Sequence, residues 1–117
     1  MAHEPRKMLN EFNEGMGKVK ETNTEQMEAF MNMLGKCDKE GVVDVKTKEL
    51  ISVAIALVIR CEYCIVYHVY NALKAGATKE EIMDAAMVAI TFGAGPSMTY
   101  TATLLQECIE EFLSDFE

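Results

Sequence analysis

The 117-residue chain has no tryptophan, only two prolines, no low-complexity tract and no fixed-period repeat, so nothing in it marks a linker between separately folding parts. Positive charge is scarce as well. Lys plus Arg number 11 against 19 Asp plus Glu, and the resulting formal net charge of −8 repels phosphate backbones and anionic lipid surfaces. Neither nucleic acid nor membrane is expected as a partner. The longest apolar stretch, Ile51 to Ile59, is about half of the ~20 residues that a membrane-spanning helix needs, and Arg60 and Glu62 break it. The first twenty residues carry charge at short intervals and no apolar run, unlike a secretory signal, so a reducing, cytoplasmic location is expected. A chain of this length can bury ~65% of its unfolded surface, which is enough for one domain over residues 1–117 without structural staples.

What is present is helical. Met8, Leu9, Phe12, Met16 and Val19 recur at three- and four-residue spacing, which makes residues 1–20 an amphipathic helical arm. Thr24 is placed to cap a second helix striped by Met27, Phe30, Met31 and Leu34, with its exit between Gly35 and Gly41. Asp44 is placed to cap a third, which is apolar around most of its circumference up to Ile59. A fourth runs from about Cys61 to Ala75 and ends at Gly76, with Lys74 in its last turn. Thr78 and Glu81 form a capping box that opens a fifth helix, whose buried set is Ile82, Met83, Ala86, Ala89 and Ile90. Gly93 and Gly95 end it, and Pro96 suits the first turn of a last helix that buries Met98, Thr101, Leu104, Leu105, Cys108, Ile109 and Phe112. No segment alternates over a strand length. The expected fold is an all-α bundle of five to six helices, and its nine methionines suit closely packed helix interfaces.

Chemistry is concentrated on the fourth helix. Cys61, Cys64 and His68 stand at i, i+3 and i+7 and share a face of roughly 60°. Cys61 lies at the helix N-terminus, where unpaired N–H groups favour a thiolate, and Arg60 adds positive charge, so a depressed thiol pKa is expected. His68 is near enough to Cys64 to take its proton. Glu49 is the carboxylate at the head of an apolar stretch and needs a partner, such as an imidazole or a water, to offset its desolvation. Each residue also has a plainer role available: His68 as a satisfied structural histidine, Glu49 as an acid favoured by a helix N-terminus, Tyr63, Tyr67 and Tyr70 as packing, and Cys37 and Cys108 as small core residues. A zinc site recruiting Cys37 and Cys108 is disfavoured, because those two stand alone and not as a second closely spaced pair. No cofactor and no metal are expected.

The run from Lys48-Glu49-Leu50-Ile51 through Cys61-Glu62-Tyr63-Cys64 and His68 to Gly76-Ala77-Thr78 and Glu80-Glu81-Ile82 resembles the carboxymuconolactone decarboxylase family, and within it the AhpD-like (alkylhydroperoxidase) branch. Its specific element is a Glu twelve positions before the first Cys and a His four positions after the second, and the resemblance covers a core of about residues 44–95. It implies an all-helical fold assembling into trimers or hexamers, with thiol-dependent peroxidase or disulfide reductase activity. Under it Cys64 is the thiol oxidised to sulfenic acid, Cys61 its disulfide partner, and Glu49 and His68 the proton relay. The substrate implied is a small hydroperoxide or a disulfide, and the electron donor an unidentified thiol. The chain departs from the best-characterised peroxidases of that branch in carrying Tyr63 where they have a His, and in lacking a longer N-terminal half. Two other functions compete: lactone decarboxylation, which offers no role for the cysteine pair, and a non-catalytic assembly module holding a structural disulfide or a metal.

Overall fold

The computed structural model describes residues 3–117 and contains helices and no strand among them. Six α-helices follow in order: α1 (Pro5–Thr22), α2 (Thr24–Asp38), α3 (Val45–Ile59), α4 (Glu62–Lys74), α5 (Lys79–Tyr100) and α6 (Gln106–Phe112). A π-helical turn, Thr101–Leu105, joins α5 to α6, and a 3-10 turn, Leu113–Phe116, follows α6. No helix among the described residues is long and apolar enough to cross a membrane.

The helix boundaries follow from local chemistry. Asp44 accepts the backbone N–H of Thr47 at 2.8 Å, and the hydrogen bonds from Thr47 hold its carboxyl below the ordinary range. Thr78 and Glu81 exchange bonds of 2.9 and 3.1 Å, the capping box expected from their spacing. Gly76 takes the left-handed conformation (φ 94°) at the end of α4, which lets Ala77 donate back to Ala72 at 2.9 Å. The entry to α2 differs from expectation. Asn23 occupies the cap position, and the hydroxyl of Thr24 donates backwards to the Lys20 carbonyl at 2.7 Å, so α1 and α2 are separated by a single residue. α2 ends at Asp38, inside the exit expected between Gly35 and Gly41.

α3 packs against α4 and α5, and α4 lies in turn against α6. Val53, Ala56 and Leu57 of α3, Ile65, Val66, Val69, Ala72 and Leu73 of α4, and Leu104, Leu105, Ile109 and Phe112 near the C-terminus form one apolar core. Tyr70 is packed against it, edge-on to the rings of Phe112 and Phe116. Two residues expected inside are not: Met98 and Cys37 are exposed. Ser97 and Thr101 are the inward residues of their turn, and Met98, one step of ~100° around the helix, faces away. Cys37 sits in the last turn of α2, beyond the core.

α5 is interrupted at Ala94, whose φ of 53° and ψ of −134° belong to no helix, so the Gly93-to-Pro96 break read from the sequence is present within one long element. The break brings α5 close to α3. Ser97 is fully buried and donates to the Leu57 carbonyl at 3.1 Å. A β-carbon on Gly93 would collide with the Ser97 hydroxyl and stand 3.5 Å from the Val58 Cα. Gly93→Ala is therefore expected to cost about 1–3 kcal/mol by overpacking this contact. Urea denaturation should show a lower midpoint with an unchanged slope, and an unshifted midpoint would refute the close approach.

Candidate redox site

Arg60, in the left-handed conformation at φ 60°, ends α3 and turns the chain so that Cys61 becomes the N-cap of α4. Cys61 and Cys64 are joined as a disulfide, their Cα atoms 5.2 Å apart, and the Cys61 sulfur accepts the Cys64 backbone N–H at 3.3 Å. The pair thus occupies the positive end of the α4 dipole.

His68 follows one turn after Cys64. Its Nδ1 lies 2.8 Å from Oε2 of Glu49, which is only 6% exposed on α3. A carboxylate can only accept, so Nδ1 carries the hydrogen and Nε2 remains as the acceptor of the neutral ring. The buried acid and the histidine offset each other's burial, as the sequence argument required. All four sequence-derived site residues therefore lie at the junction of α3 and α4: the cysteines bonded to each other, and Glu49 bonded to His68.

Cys64 and His68 open into a cleft of about 320 Å³. Its walls were not foreseen as part of the site. α1 contributes Phe12, Asn13 and Met16, and α2 contributes Phe30, Met31, Leu34 and Asp38. Tyr67 is a wall residue as well, with its ring 5.0 Å from that of Phe12 and 5.1 Å from that of His68. The available signal was the α2 stripe itself, whose Phe30 and Met31 remain exposed and not sealed in a core. Tyr63 is a correction to a packing role: it is 42% exposed, and its hydroxyl donates to Glu11 of α1 at 2.8 Å. Glu11 holds the Tyr63 proton in place and raises its pKa.

The other two cysteines lie in contrasting surroundings. Cys108 is fully buried, and burial, with a smaller contribution from the charge of Glu107, pushes its thiol up to about 12. Cys37 is exposed, and no three metal-ligating side chains converge among the described residues. A separate groove of about 380 Å³ between α3 and α5 is walled by Ile51, Ile55, Ile59, Val88 and Phe92 among others, and its lining carries no group that could do chemistry.

The model of the carboxymuconolactone decarboxylase family matches residues 24–107. An uncharacterised protein of Cupriavidus necator is 30% identical over 97 residues, which are 83% of this chain and 86% of that one. A Paracoccus denitrificans protein known as uncharacterised protein 4 in the cox locus is 40% identical over 73 residues, 62% of this chain and 66% of its own. Among solved structures, the ligand-free carboxymuconolactone decarboxylase family protein of Legionella pneumophila superposes with a TM-score of 0.88 at 33% identity, covering 93% of this chain and 96% of that one. A Thermotoga maritima protein of the same family, for which involvement in an antioxidative response has been suggested, gives 0.76 at 28% identity with the same coverage.

The environments of the two unpaired thiols separate them experimentally. In the native protein an alkylating reagent at neutral pH should modify Cys37 quickly and Cys108 only on unfolding, as peptide mapping would show. Because folding raises the Cys108 pKa from the ordinary 9.0 to about 12, the unfolded chain releases that proton first, and stability should fall as pH rises through this interval. Replacing Cys108 with Ala should reduce that alkaline slope, Tyr63 supplying part of what is left; an unchanged slope would assign it wholly to other groups.

Proposed function

This chain belongs to the carboxymuconolactone decarboxylase family, and we propose that it is a thiol-dependent oxidoreductase that reduces a hydroperoxide or a disulfide by cycling Cys61 and Cys64 between dithiol and disulfide. The observation that carries this reading is the opening of Cys64 and His68 into one cleft, with Cys61 already bonded to Cys64 behind it and Glu49 bonded to His68. Lactone decarboxylation would leave the paired sulfurs without a role.

In the peroxide reaction, Nε2 of His68 takes the Cys64 proton, and Glu49 stabilises the imidazolium through Nδ1. The Cys64 thiolate attacks the terminal oxygen of ROOH. The O–O bond breaks, the departing alkoxide takes up the proton held by His68, and Cys64 becomes a sulfenic acid. The Cys61 thiolate then attacks the Cys64 sulfur, and hydroxide leaves as water with the proton released by Cys61. One ROOH and one dithiol give ROH, water and the Cys61–Cys64 disulfide. Two external thiols, or one dithiol, are oxidised to a disulfide and supply the two electrons and two protons that restore the Cys61–Cys64 dithiol, a supply that a reducing compartment such as the cytoplasm provides.

The apolar groove supports a second element of the reading, a homo-oligomer. Ile51, Ile55, Ile59, Val88 and Phe92 stand exposed side by side on α3 and α5, Ile59 at 62% and Phe92 at 79%. A face of this kind is expected to be covered by another copy of the chain in a closed trimer, or in a hexamer built from three dimers.

Cys64→Ser should abolish peroxide-dependent oxidation of a thiol donor, and Glu49→Gln should slow it by about a hundredfold, the range set by positioned acid–base catalysis. Full turnover by Cys64→Ser would remove the sulfur from the mechanism. For the assembly, sedimentation equilibrium at micromolar concentration should give a multiple of the 13.1 kDa chain mass, and Ile55→Glu should dissociate it. A wild-type species at the monomer mass would refute the oligomer.

A further inference from the structure

The cleft over Cys64 is apolar on most of its wall, and a fixed charge enters it at one place. Asp38, the last residue of α2, is the only acidic or basic side chain in the lining apart from His68, whose Nδ1 is taken up by Glu49. Asp38 is half-buried and makes no ion pair among the described residues. The ammonium of Lys48 donates to the carbonyls of Cys37 and Lys39, at 2.8 Å each, and so offsets the negative end of the α2 dipole without forming an ion pair with Asp38. Asp38 therefore brings a carboxylate to the cleft lining in a chain of net charge −8, and no lysine or arginine belongs to that lining.

Resting on the dithiol reading above, we propose that Asp38 is a specificity-determining residue that screens the redox partner by charge. An uncharged or cationic apolar partner reaches Cys64, and an anionic one is repelled. The walls contributed by Phe12, Met16, Phe30 and Met31 lower the dielectric along the approach, so a single carboxylate acts over the length of a small molecule with less screening than in open water.

The oxidised protein allows a direct test with three two-carbon thiols that differ at the far end alone: cysteamine (ammonium), 2-mercaptoethanol (hydroxyl) and 2-mercaptoethanesulfonate (sulfonate). The probe thiolate attacks the Cys64 sulfur and Cys61 leaves as thiolate. A second probe thiolate then attacks the probe sulfur of the mixed disulfide and releases Cys64. One protein disulfide and two probe thiols thus give one protein dithiol and one probe disulfide. Rates are followed by acid quench, alkylation and mass spectrometry for wild type, Asp38→Asn and Asp38→Lys. Each variant-to-wild-type ratio is divided by the ratio for the hydroxyl probe, which cancels differences in thiol pKa and any general effect of the substitution. For a charge roughly 8 Å away at an effective dielectric constant of about 40, Asp38→Asn should raise the sulfonate ratio about fivefold and lower the ammonium ratio about fivefold. Asp38→Lys should move both further in the same directions. Normalised ratios near one for both charged probes would overturn the role of Asp38 and leave the dithiol reading standing. Failure of all three probes to reduce the wild-type disulfide would overturn both.

Discussion

The contact on which the site depends is the bond between a carboxylate buried on α3 and an imidazole on α4. A charged carboxylate with 6% exposure cannot be left alone, because the free energy of removing it from water exceeds what a small domain can absorb. Glu49 therefore requires His68, and His68 accepts at a price in freedom: its Nδ1 is fixed, its ring is held against Tyr67, and its tautomer is chosen. Replacing His68 leaves the buried carboxylate without its hydrogen-bond donor, at a cost of about 1–3 kcal/mol. The same bond sets the register between α3 and α4. Since α4 carries His68 and Cys64, with Cys61 as its N-cap, the position of the sulfurs relative to Glu49 is a consequence of the core around Val53, Leu57, Ile65 and Val69.

The distribution of apolar residues makes sense on the same frame. The central core is complete without α2, which buries a single residue, Met27. The rest of the α2 stripe is spent on the cleft, with Phe30, Met31 and Leu34 facing Cys64 and His68 across from the α1 residues Phe12 and Met16. α1 is anchored well enough to hold that wall: Arg6 pairs with Glu111 and Asp115 at 3.0 Å each and lies over the Phe112 ring, and Glu11 receives the Tyr63 hydroxyl. On the other side, the exposed isoleucines of α3 recur at Ile51, Ile55 and Ile59, a four-residue spacing that places them in one row, while Val53, Ala56 and Leu57 point inward. α3 thus has two apolar faces, which is why its sequence shows so little amphipathic contrast.

Much of this was legible in advance because it is local. The Asp44 cap, the Thr78–Glu81 box, the Gly76 turn and the break near Gly93 are each dictated by residues within a few positions of one another, and each is present. The common face of Cys61, Cys64 and His68 also follows from helical periodicity alone. The placement of Glu49 against His68 did not, since it spans nineteen residues and two helices; the residues by themselves offered the demand for a partner, an imidazole or a water, and only the family resemblance joined Glu49 to His68. The walls of the cleft were harder still. Apolar periodicity in α2 does not say whether a stripe meets a core, a cavity or solvent, and Asp38 lies off that stripe at the helix exit. Tyr63 shows the same limit, because an exposed phenol bonded to an acid on another helix has no local signature.

The four cysteines show how environment divides one side chain into different chemistries. Cys108, closed in the apolar core next to Glu107, is held as a neutral thiol and behaves as a small hydrophobe. Cys37 is open to solvent in the last turn of α2. Cys61 and Cys64 stand at the opposite end of a helix, and the sulfur of Cys61 itself serves as the cap, receiving the Cys64 N–H. When the disulfide opens, the same N–H groups and the same dipole face a thiolate, and they favour it more strongly than they favour the neutral disulfide sulfur. The helix terminus thereby weights the pair toward the dithiol. Ready exchange with an incoming thiol is what the proposed cycle requires, whereas a structural bridge is built to resist it. The position of the pair, with Cys61 as the N-cap of α4 and Cys64 in its first turn, thus supports the proposed reading.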